Sequence, residues 1–467
     1  MSVTLGIRTT PIDGLVVVDL VVNGDARGWF KENWQREKMV ALGLPDFRPV
    51  QQNVSYNEEA GVTRGIHAEP WNKLVSIAAG RIFGAWVDLR EGPGFGTVFT
   101  IEMGPETAVF VPRGVGNSYQ TLEPGTAYAY LVDDHWSPDA KYTFVNLEDE
   151  TVAVPWPIPL ERSIRSEKDL AHPRLADVTP FQPKAALVLG AGGQLGMAMR
   201  DEFPEATFLT RAECDITVAA DLDRIRWRDF GVVINAAGHT NVDEAETPSG
   251  RSLAWATNAA AVAEIAARCL AADVPLVHFS SDYVFDGAIE LHREDEPVSP
   301  LSVYGASKAA GDLAVSALPK HWLIRSSWIV GRGRNFATTM ARLAAGGSAP
   351  SVVNDQLGRP TFAATIARGV RHLMEVGAPF GTYNLSNSGD VVSWAEIARA
   401  VFSAVGAEPA LVNEVSTAEY AEGKALAPRP LQSALDLERI TRTGFVPGDW
   451  RALLASSFAA DKRGALD

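Results

Sequence analysis

The sequence predicts two domains of different fold class, an all-β barrel followed by an α/β domain built on a parallel sheet. Up to about residue 160, short β-branched or aromatic runs are separated by Gly, Pro, Asp and Asn, a spacing typical of a barrel or sandwich. From about residue 184, apolar strands alternate with long Ala-rich helical patterns, which indicates a parallel sheet. At 467 residues the chain is long enough for both cores.

The predicted elements follow in chain order. Strands of the first half are expected at LVVVDLVV, KLVSIAAGRIFGAWVDLR, TVFTIEM, TAVFVPR and TAYAYLV, with one short helix near KENWQREKMVALG. The segment WPIPLERSIRSEKDLAHPRLADVTPFQP is rich in proline and charge and predicts a tail and linker. Strands at ALVLG, GVVINAAG and VPLVHFSS then alternate with helical patterns such as SLAWATNAAAVAEIAARCLAA. We expect a first domain over residues 1–170, a linker over 171–183 and a second domain over 184–467.

Composition argues against several classes of partner. The 42 basic and 57 acidic side chains give a net charge of −15, which repels polyanions and disfavours nucleic-acid binding. No apolar run reaches the ~18 residues needed to cross a bilayer, and no signal peptide is indicated. The two cysteines, Cys214 and Cys269, cannot form a disulfide framework for so long a chain. These observations predict a cytoplasmic protein without membrane or nucleic-acid partners.

A glycine turn opens the second half. The strand ALVLG runs into Gly190, Gly193 and Gly196 at the head of a helical pattern, where backbone N–H groups and the helix dipole can hold a pyrophosphate. The next strand, ATFLT, ends at Arg211, at the position that contacts the ribose in dinucleotide folds. Arg211 could bind a 2′-phosphate, although it could also be a solvated surface charge. The expected cofactor is therefore NADPH, with NADH as the alternative.

A candidate reduction site follows that turn. Tyr304 and Lys308 in VYGASKAAGD lie on one face of a helix, where the lysine favours the phenolate and can bind the ribose. Tyr304 can then give a proton to a carbonyl oxygen as hydride arrives. Ser281, at the end of a predicted strand, could hydrogen-bond the same carbonyl. Together these residues predict a carbonyl reductase.

The first half carries a second constellation, Arg64, His67, Lys73, Tyr130 and Asp169. A ketone acidifies the hydrogens on both neighbouring carbons, so a neutral His67 can remove one as general base. Lys73 could stabilise the enolate oxygen, and Tyr130 could return the proton from the opposite face. Asp169 could orient the imidazole. A lone histidine is more often structural, so the prediction depends on the combination.

The second half resembles a known family. The motifs GAGGQLG, CDIT, VINAAGHTNVDEAE, SSDYVFDG, YGASKAAGD, RSSWIVGRGRNF and DQLGRPT, over about residues 186–362, are similar to those of dTDP-4-dehydrorhamnose reductases in the extended short-chain dehydrogenase/reductase class. The resemblance implies a doubly wound Rossmann-type sheet with a smaller substrate-binding part, a nicotinamide cofactor and reduction of the 4-keto group of a dTDP-sugar. Motif positions imply cofactor contacts at Gly190, Gly193, Gln194, Leu195, Gly196, Asp215, Ile216, Ala236, Ala237 and Thr240. Trp328 and Arg359 fall in motifs that line the sugar-nucleotide pocket, although Trp328 could be a core residue and Asp215 a helix cap.

The first half, over about residues 1–170, resembles dTDP-4-dehydrorhamnose 3,5-epimerases through DARGWFKE, QQNVSYNEEAGVTRGIH, NKLVSIAAGRIFGAWVDLR, VPRGVGNSYQ, VPWP and SEKD. These are small cupin-type barrels (jelly rolls) that act without metal. The resemblance implies that His67 is the base, Asp169 its partner, Lys73 the enolate-stabilising lysine and Tyr130 the general acid. It also implies substrate contacts at Arg64 and nucleotide contacts at Arg27 and Phe30.

Three departures from the epimerase pattern stand out. The stretch from His67 to Lys73 is short, Asn117 replaces a histidine of the diphosphate-binding motif, and Trp136 stands where a second tyrosine is common. They leave open epimerisation at only one centre.

Both halves point to a dTDP-6-deoxy-4-ketohexose. The sequence predicts a bifunctional enzyme that epimerises dTDP-4-dehydro-6-deoxyglucose at C3 and C5 and reduces C4 with NADPH to give dTDP-L-rhamnose. One alternative is another deoxysugar product, and the other is a catalytically silent barrel fused to a reductase. We expect a homo-oligomer, a dimer through the barrel, and leave a need for Mg²⁺ open.

Overall fold

A computed structural model describes residues 4–137 and 140–461, with side chains of the last helix as far as Phe458. The chain divides into two units, Met1–Pro183 and Lys184–Asp467. Among the described residues, no helix combines the length and the apolar character that crossing a membrane requires.

The first unit is the predicted antiparallel barrel. Its helices are α1 (Arg36–Ala41) and α2 (Glu167–Leu170). Its strands are β1 (Gly6–Thr9), β2 (Val16–Asp19), β3 (Val22–Asp25), β4 (Gly28–Lys31), β5 (Gln51–Asn57), β6 (Thr63–Ala68), β7 (Lys73–Ala79), β8 (Ile82–Asp88), β9 (Val98–Met103), β10 (Thr107–Val111), β11 (Val115–Thr121), β12 (Thr126–Val132) and β13 (Thr143–Val145).

Two sheets form this barrel, in the orders β1-β2-β10-β7-β12-β5 and β13-β6-β11-β8-β9, and β3 and β4 form a separate hairpin. Alternate residues of the strands fill the space between the sheets, with Trp86, Val75 and Ile77 fully buried. The all-β prediction for this half is confirmed.

The segment expected to be a tail and linker packs on the barrel. Leu175 is buried among barrel residues, and Phe181 forms an isolated bridge with Arg90. Residues 171–183 therefore fall within the first unit, because these two apolar side chains gain burial there. The full stretch predicted as tail and linker, residues 156–183, also contains α2 and thus Asp169.

The second unit is an α/β domain. Its strands are β14 (Ala186–Leu189), β15 (Thr207–Leu209), β16 (Val232–Asn235), β17 (Leu276–Ser281), β18 (His321–Ser326), β19 (Ile329–Val330), β20 (Ser351–Val353), β21 (Leu357–Gly358), β22 (Thr361–Phe362), β23 (Gly381–Asn384), β24 (Val392–Ser393) and β25 (Asn413–Val415). Its helices are α3 (Gln194–Glu202), α4 (Ala219–Asp223), α5 (Pro248–Trp255), α6 (Ala261–Ala272), α7 (Val303–Ser316), α8 (Phe336–Ala345), α9 (Ala363–Glu375), α10 (Trp394–Val405), α11 (Thr417–Ala421), α12 (Glu438–Arg442) and α13 (Trp450–Asp461).

The main sheet of this unit is parallel, in the order β15-β14-β16-β17-β18-β23. Successive residues of β14 enter cores on opposite faces, Val188 on one side and Leu187 and Leu189 on the other, as the two-residue period requires. Strand order reverses at β14, so the glycine turn that follows lies at the topological switch point. A third core, built on α8, α10 and α13, forms the smaller part. The doubly wound prediction is confirmed.

Candidate active sites

A cavity of about 660 Å³ lies within the barrel. Six of the predicted side chains line it: Arg64, His67, Lys73, Asn117, Tyr130 and Asp169. Arg27 and Phe30 lie elsewhere, on the hairpin β3–β4, where Arg27 pairs with Asp25 and Phe30 is 67% exposed. Trp136, which stands where a second tyrosine is common, is also exposed, whereas another tyrosine, Tyr142, lines the cavity.

A register shift explains how Arg64 and His67 reach the same cavity. Residues three apart on a regular strand point to opposite faces of the sheet. In β6, however, His67 pairs with Asn117 and Arg64 with Tyr119, so β6 carries one extra residue between the two pairs. Such a bulge turns both side chains to one side.

The candidate base and its partner come from distant segments. His67 Nε2 lies 2.9 Å from Asp169 Oδ1, and the Asp169 backbone N–H donates to the side chain of Ser166 at the start of α2. Gly65 makes this approach possible, because a Cβ there would lie 2.4 Å from Asp169 Oδ1. Burial raises the pKa of Asp169, but the hydrogen bond and charge of His67, with smaller contributions from Ser166 and Gly65, outweigh it and lower that pKa to about 2.

His172 stands beside this pair and was not singled out by the sequence analysis. Its Nε2 lies 4.0 Å from Asp169 Oδ1, its ring stacks on Phe144, and burial and His67 lower its pKa. The donor atoms of His67, Asp169 and His172 lie within 4.8 Å of one another, a spacing that a divalent cation could also occupy. The hydrogen bond already made between His67 and Asp169 favours acid–base chemistry instead.

Lys73 and Tyr130 form the other side of the cavity, on the neighbouring strands β7 and β12. The Lys73 ammonium lies 4.7 Å from the centre of the Tyr130 ring and forms a 2.5 Å ion pair with Glu69. Burial, with a contribution from Glu69, raises the pKa of Tyr130 to about 12. At neutral pH this tyrosine therefore holds its proton. On the adjoining wall, Asn117 accepts a hydrogen bond from Tyr128.

The candidate cofactor site of the second unit is a cleft of about 240 Å³. Of the residues predicted to bind the cofactor, it is lined by Gly190, Gly193, Arg211, Asp215, Ile216, Ala236 and Ala237. Leu195 is buried in the sheet core beside this cleft, and Thr240 is exposed outside it. Gln194 is the first residue of α3, and its Oε1 is buried without a protein partner among the described residues.

The glycine turn fits a dinucleotide. Gly190 has φ near +79°, and a Cβ there would lie 2.5 Å from the backbone nitrogen of Ala237. A Cβ on Gly196 would lie 2.3 Å from the Gly190 carbonyl oxygen, so glycine lets α3 pack against the turn. Gly192 faces open space. The turn thus leaves room at the N-terminus of α3 for a pyrophosphate.

Arg211 lies at the rim of this cleft with its side chain 75% exposed. Its Nε donates to Asp215 at 3.1 Å, and Asp215 also accepts from the backbone and hydroxyl of Thr217. The guanidinium is therefore anchored on one edge and keeps further donors for an anion.

The predicted reduction residues meet at the end of β17. Ser281 ends that strand, and Tyr304 and Lys308 lie one turn apart on α7; all three are buried. Burial raises the pKa of the Tyr304 hydroxyl to about 12, and Ser281 acts on that pKa in the opposite direction. Lys308 donates to the Phe279 carbonyl at 2.5 Å, and burial lowers its pKa to about 8, with Asp312 acting in the opposite direction.

Two buried polar residues that the sequence analysis missed support this site. Asp282 accepts a hydrogen bond from Ser281 at 2.9 Å, and burial raises the pKa of Asp282 to about 6. Asn258, in a π-helical turn between α5 and α6, binds the backbone of His239 through both amide atoms and donates to Ser307 at 3.0 Å. It thereby ties the cofactor cleft to α7.

Trp328 and Arg359 lie in the smaller part. Trp328 is buried, has φ near +47° and stacks on Trp394 with ring centres 4.0 Å apart. Arg359 donates to the carbonyl oxygens of Gly389 and Leu435. Neither residue lines the cleft at the glycine turn.

The fold and the two sites define a chain with an acid–base barrel and a reductase of the short-chain dehydrogenase/reductase type. Residues 9–177 match the family described as dTDP-4-dehydrorhamnose 3,5-epimerase, and residues 184–462 match the RmlD substrate binding domain. The chain belongs to both families, the first through its barrel and the second through its α/β unit. The resemblance drawn from the motifs is confirmed for both halves.

Individual relatives match each half of the chain separately. The Protein RmlC homolog of Streptococcus pyogenes serotype M6 is 47% identical over 180 residues, which cover 37% of this chain and 90% of that protein. The dTDP-4-dehydrorhamnose reductase of Mycolicibacterium smegmatis is 36% identical over 287 residues, 59% of this chain and 85% of that protein. The crystal structure of the Bacillus anthracis reductase in complex with NADP is 32% identical, with a TM-score of 0.54, and covers 60% of this chain and 99% of its own.

Proposed function

We propose that this protein catalyses two successive steps of dTDP-L-rhamnose synthesis: 3,5-epimerisation of dTDP-4-dehydro-6-deoxyglucose in the barrel, then NADPH-dependent reduction of the 4-keto group in the α/β unit. The observation that carries the proposal is that one chain holds both constellations, each with its acid–base residues gathered within one unit. The product of the first reaction is a 4-ketone, which is the substrate that the second requires.

In the barrel, His67 removes a proton from the carbon next to the ketone. Nε2 bonds Asp169, so Nδ1 is the nitrogen that accepts when Nε2 carries the ring proton. Asp169 is ionised at neutral pH and stabilises the imidazolium that forms. Lys73 places its ammonium against the enolate oxygen, and Tyr130 returns a proton from the other side. Arg64 and Asn117 contribute to binding the nucleotide portion.

In the α/β unit, the glycine turn and Arg211 hold the cofactor, and a bound NADPH supplies the hydride. The NADP complex of the Bacillus anthracis relative supports this choice. Tyr304 gives its proton to the sugar O4, Ser281 orients the carbonyl, and Lys308 offers its charge to the ribose and the phenolate. Trp328 and Arg359 are proposed to shape the sugar side of the site from the smaller part.

Arg27 and Phe30 imply a partner subunit. They stand on the exposed β3–β4 hairpin and do not line this chain's own cavity, and we propose that a second barrel brings them to its nucleotide. The proposed homodimer through the barrel would provide it. Sedimentation measurements of the oligomeric state of the full chain and of Phe30→Ala test the proposed homodimer.

The decisive experiment supplies dTDP-4-dehydro-6-deoxyglucose in heavy water, with and without NADPH, and follows the sugar by NMR. Without NADPH we expect deuterium at C3 and C5, and with NADPH we expect dTDP-L-rhamnose. Deuterium at one carbon would indicate a single-centre epimerase, and none would indicate a silent barrel. Parallel reactions with NADH and with EDTA test cofactor choice and Mg²⁺.

Two variants separate the units. His67→Ala should abolish exchange and keep reduction of a supplied 4-keto-L-rhamnose nucleotide, whereas Lys308→Ala should do the reverse. His135→Ala, at an exposed histidine of the first unit, and Lys320→Ala, at a partly exposed lysine of the second, are the matched controls. Loss of both activities in a folded His67→Ala protein would contradict the two-site proposal.

A further inference from the structure

Glu69 is a carboxylate inside the barrel cavity for which the proposed mechanism has no use. It follows β6 directly, and its Oε2 lies 2.5 Å from Lys73 Nζ. The Lys73 side chain is only 6% exposed. An ammonium buried to this degree is strongly destabilised without a partner, so Glu69 is what allows Lys73 to stay charged there.

A second contact fixes the position of this carboxylate. The indole Nε1 of Trp71 donates to the same Oε2 at 2.5 Å. Trp71 is itself buried and packs edge-on against Tyr142. The short stretch between His67 and Lys73 thus forms a loop in which Trp71 holds Glu69 against Lys73.

The charge of Glu69 acts on two groups at once. Burial lowers the pKa of Lys73, and Glu69 opposes that change; burial and Glu69 both raise the pKa of Tyr130. Lys73 lies over the Tyr130 ring, so the carboxylate of Glu69 raises the pKa of both groups. The cavity is also lined by Arg64 on β6, which acts in the opposite direction on Tyr130. Its further titratable lining residues are Tyr119 on β11, Tyr128 on β12, Tyr142 before β13, His67, Arg165, Lys168, Asp169 and His172.

We propose that Glu69 is a positioning residue that keeps Lys73 and Tyr130 protonated on the same side of the cavity during epimerisation. The inference rests on the proposed epimerase function. Lys73 needs its proton to stabilise an enolate, and Tyr130 needs its proton to give it to carbon. Glu69 acts through these two groups, because its Oε2 is already taken up by Lys73 and Trp71.

The test is the pH profile of solvent exchange at C3 and C5, measured on the full chain from pH 6 to pH 9.5. In Glu69→Gln we expect the alkaline limb to move to lower pH by at least about one unit. The rate relative to wild type should then fall progressively along the alkaline limb and approach ~10-fold lower where the pH exceeds both alkaline pKa values, since each pH unit beyond a pKa changes the protonated fraction tenfold. Glu102→Gln, on the outer strand β9, should follow the wild-type profile.

A Glu69→Gln rate that is a constant fraction of wild type at every pH overturns the inference, because a merely structural loss does not depend on pH. If circular dichroism shows Glu69→Gln unfolded, Glu69→Asp takes its place. Its shorter side chain draws the carboxylate away from Lys73 and should shift the limb in the same direction by less; an unshifted limb overturns the inference. Absence of exchange in the wild type would instead refute the epimerase function itself.

Discussion

Replacing Asp169 by asparagine removes one charge from the proposed base pair at nearly constant shape. Burial raises the pKa of Asp169, but the contacts with His67, together with hydrogen bonds from Ser166 and Gly65, outweigh it and lower that pKa from 3.8 to about 2, a net ~2.4 kcal/mol at ~1.36 kcal/mol per pKa unit. Because the His67 side chain is 35% exposed, solvent screening reduces this to about 1–2 kcal/mol. Loss of the charge alone should therefore slow proton abstraction about 10-fold.

The substitution has a second effect, on the tautomer of His67. If the new side-chain amide donates to Nε2, the ring proton moves to Nδ1, and the nitrogen that should accept the substrate proton is blocked. Loss of the carboxylate partner costs up to ~10⁴-fold in a catalytic triad. We expect deuterium exchange at C3 and C5 to fall by about 10³-fold, while reduction of a pre-epimerised substrate is unchanged.

The assay is the initial rate of deuterium incorporation at pH 7.5, with circular dichroism to verify folding. Glu167→Gln, an exposed position on the same helix α2, is the matched control and should exchange at the wild-type rate. A loss of less than about 5-fold in folded Asp169→Asn would refute the reasoning, because even the screened charge effect exceeds that.

Three further predictions concern the α/β unit. Tyr304→Phe should lower turnover on a pre-epimerised substrate by ~10²-fold or more, with NADPH affinity by fluorescence titration retained; turnover near wild type would exclude Tyr304 as the donor. Arg211→Ala should weaken NADPH binding far more than NADH binding, and an equal effect on both would mark a solvated charge. The pKa of Asp282 is raised to about 6, so the folded state holds a proton that the unfolded state loses above about pH 4, and stability falls as pH rises through that window. The melting temperature of Asp282→Asn relative to wild type should therefore increase between pH 4 and pH 7.

The fold classes were predictable because both depend on local periodicity. Short β-branched and aromatic runs bounded by turn residues produced β7 and β8, and the strand-helix alternation produced the parallel sheet. The order β1-β2-β10-β7-β12-β5 was not predictable, since it depends on pairings between strands distant in the chain. The packing of residues 171–183 on the barrel was missed as well, because it also depends on contacts between distant parts of the chain. The proline and charged residues of this segment predict a linker, although Leu175 and Phe181 pack on the barrel.

The site residues likewise divide into those whose geometry the sequence predicts and those whose geometry depends on distant contacts. The Tyr304–Lys308 spacing fixes both side chains on one helix face, and the motif therefore predicts their geometry directly. Arg64 and His67 share a cavity only because of the register shift in β6, which no pattern in the sequence announces. His172 had no signal, whereas Glu69 stood four residues before Lys73 in a short loop and could have been noticed as its counter-ion.

Both units place a tyrosine beside a buried lysine in the candidate active site. Each proposed reaction needs a group that still holds a proton at neutral pH when negative charge develops on the substrate, an enolate in the barrel and an alkoxide in the reductase. Burial raises the pKa of both Tyr130 and Tyr304 to about 12, so each stays protonated until the substrate becomes the stronger base. A lysine accompanies each tyrosine, Lys73 over the ring of one and Lys308 one helical turn from the other, and both lysines are buried. At neutral pH Tyr304 therefore enters the reduction of the ketone with its proton in place.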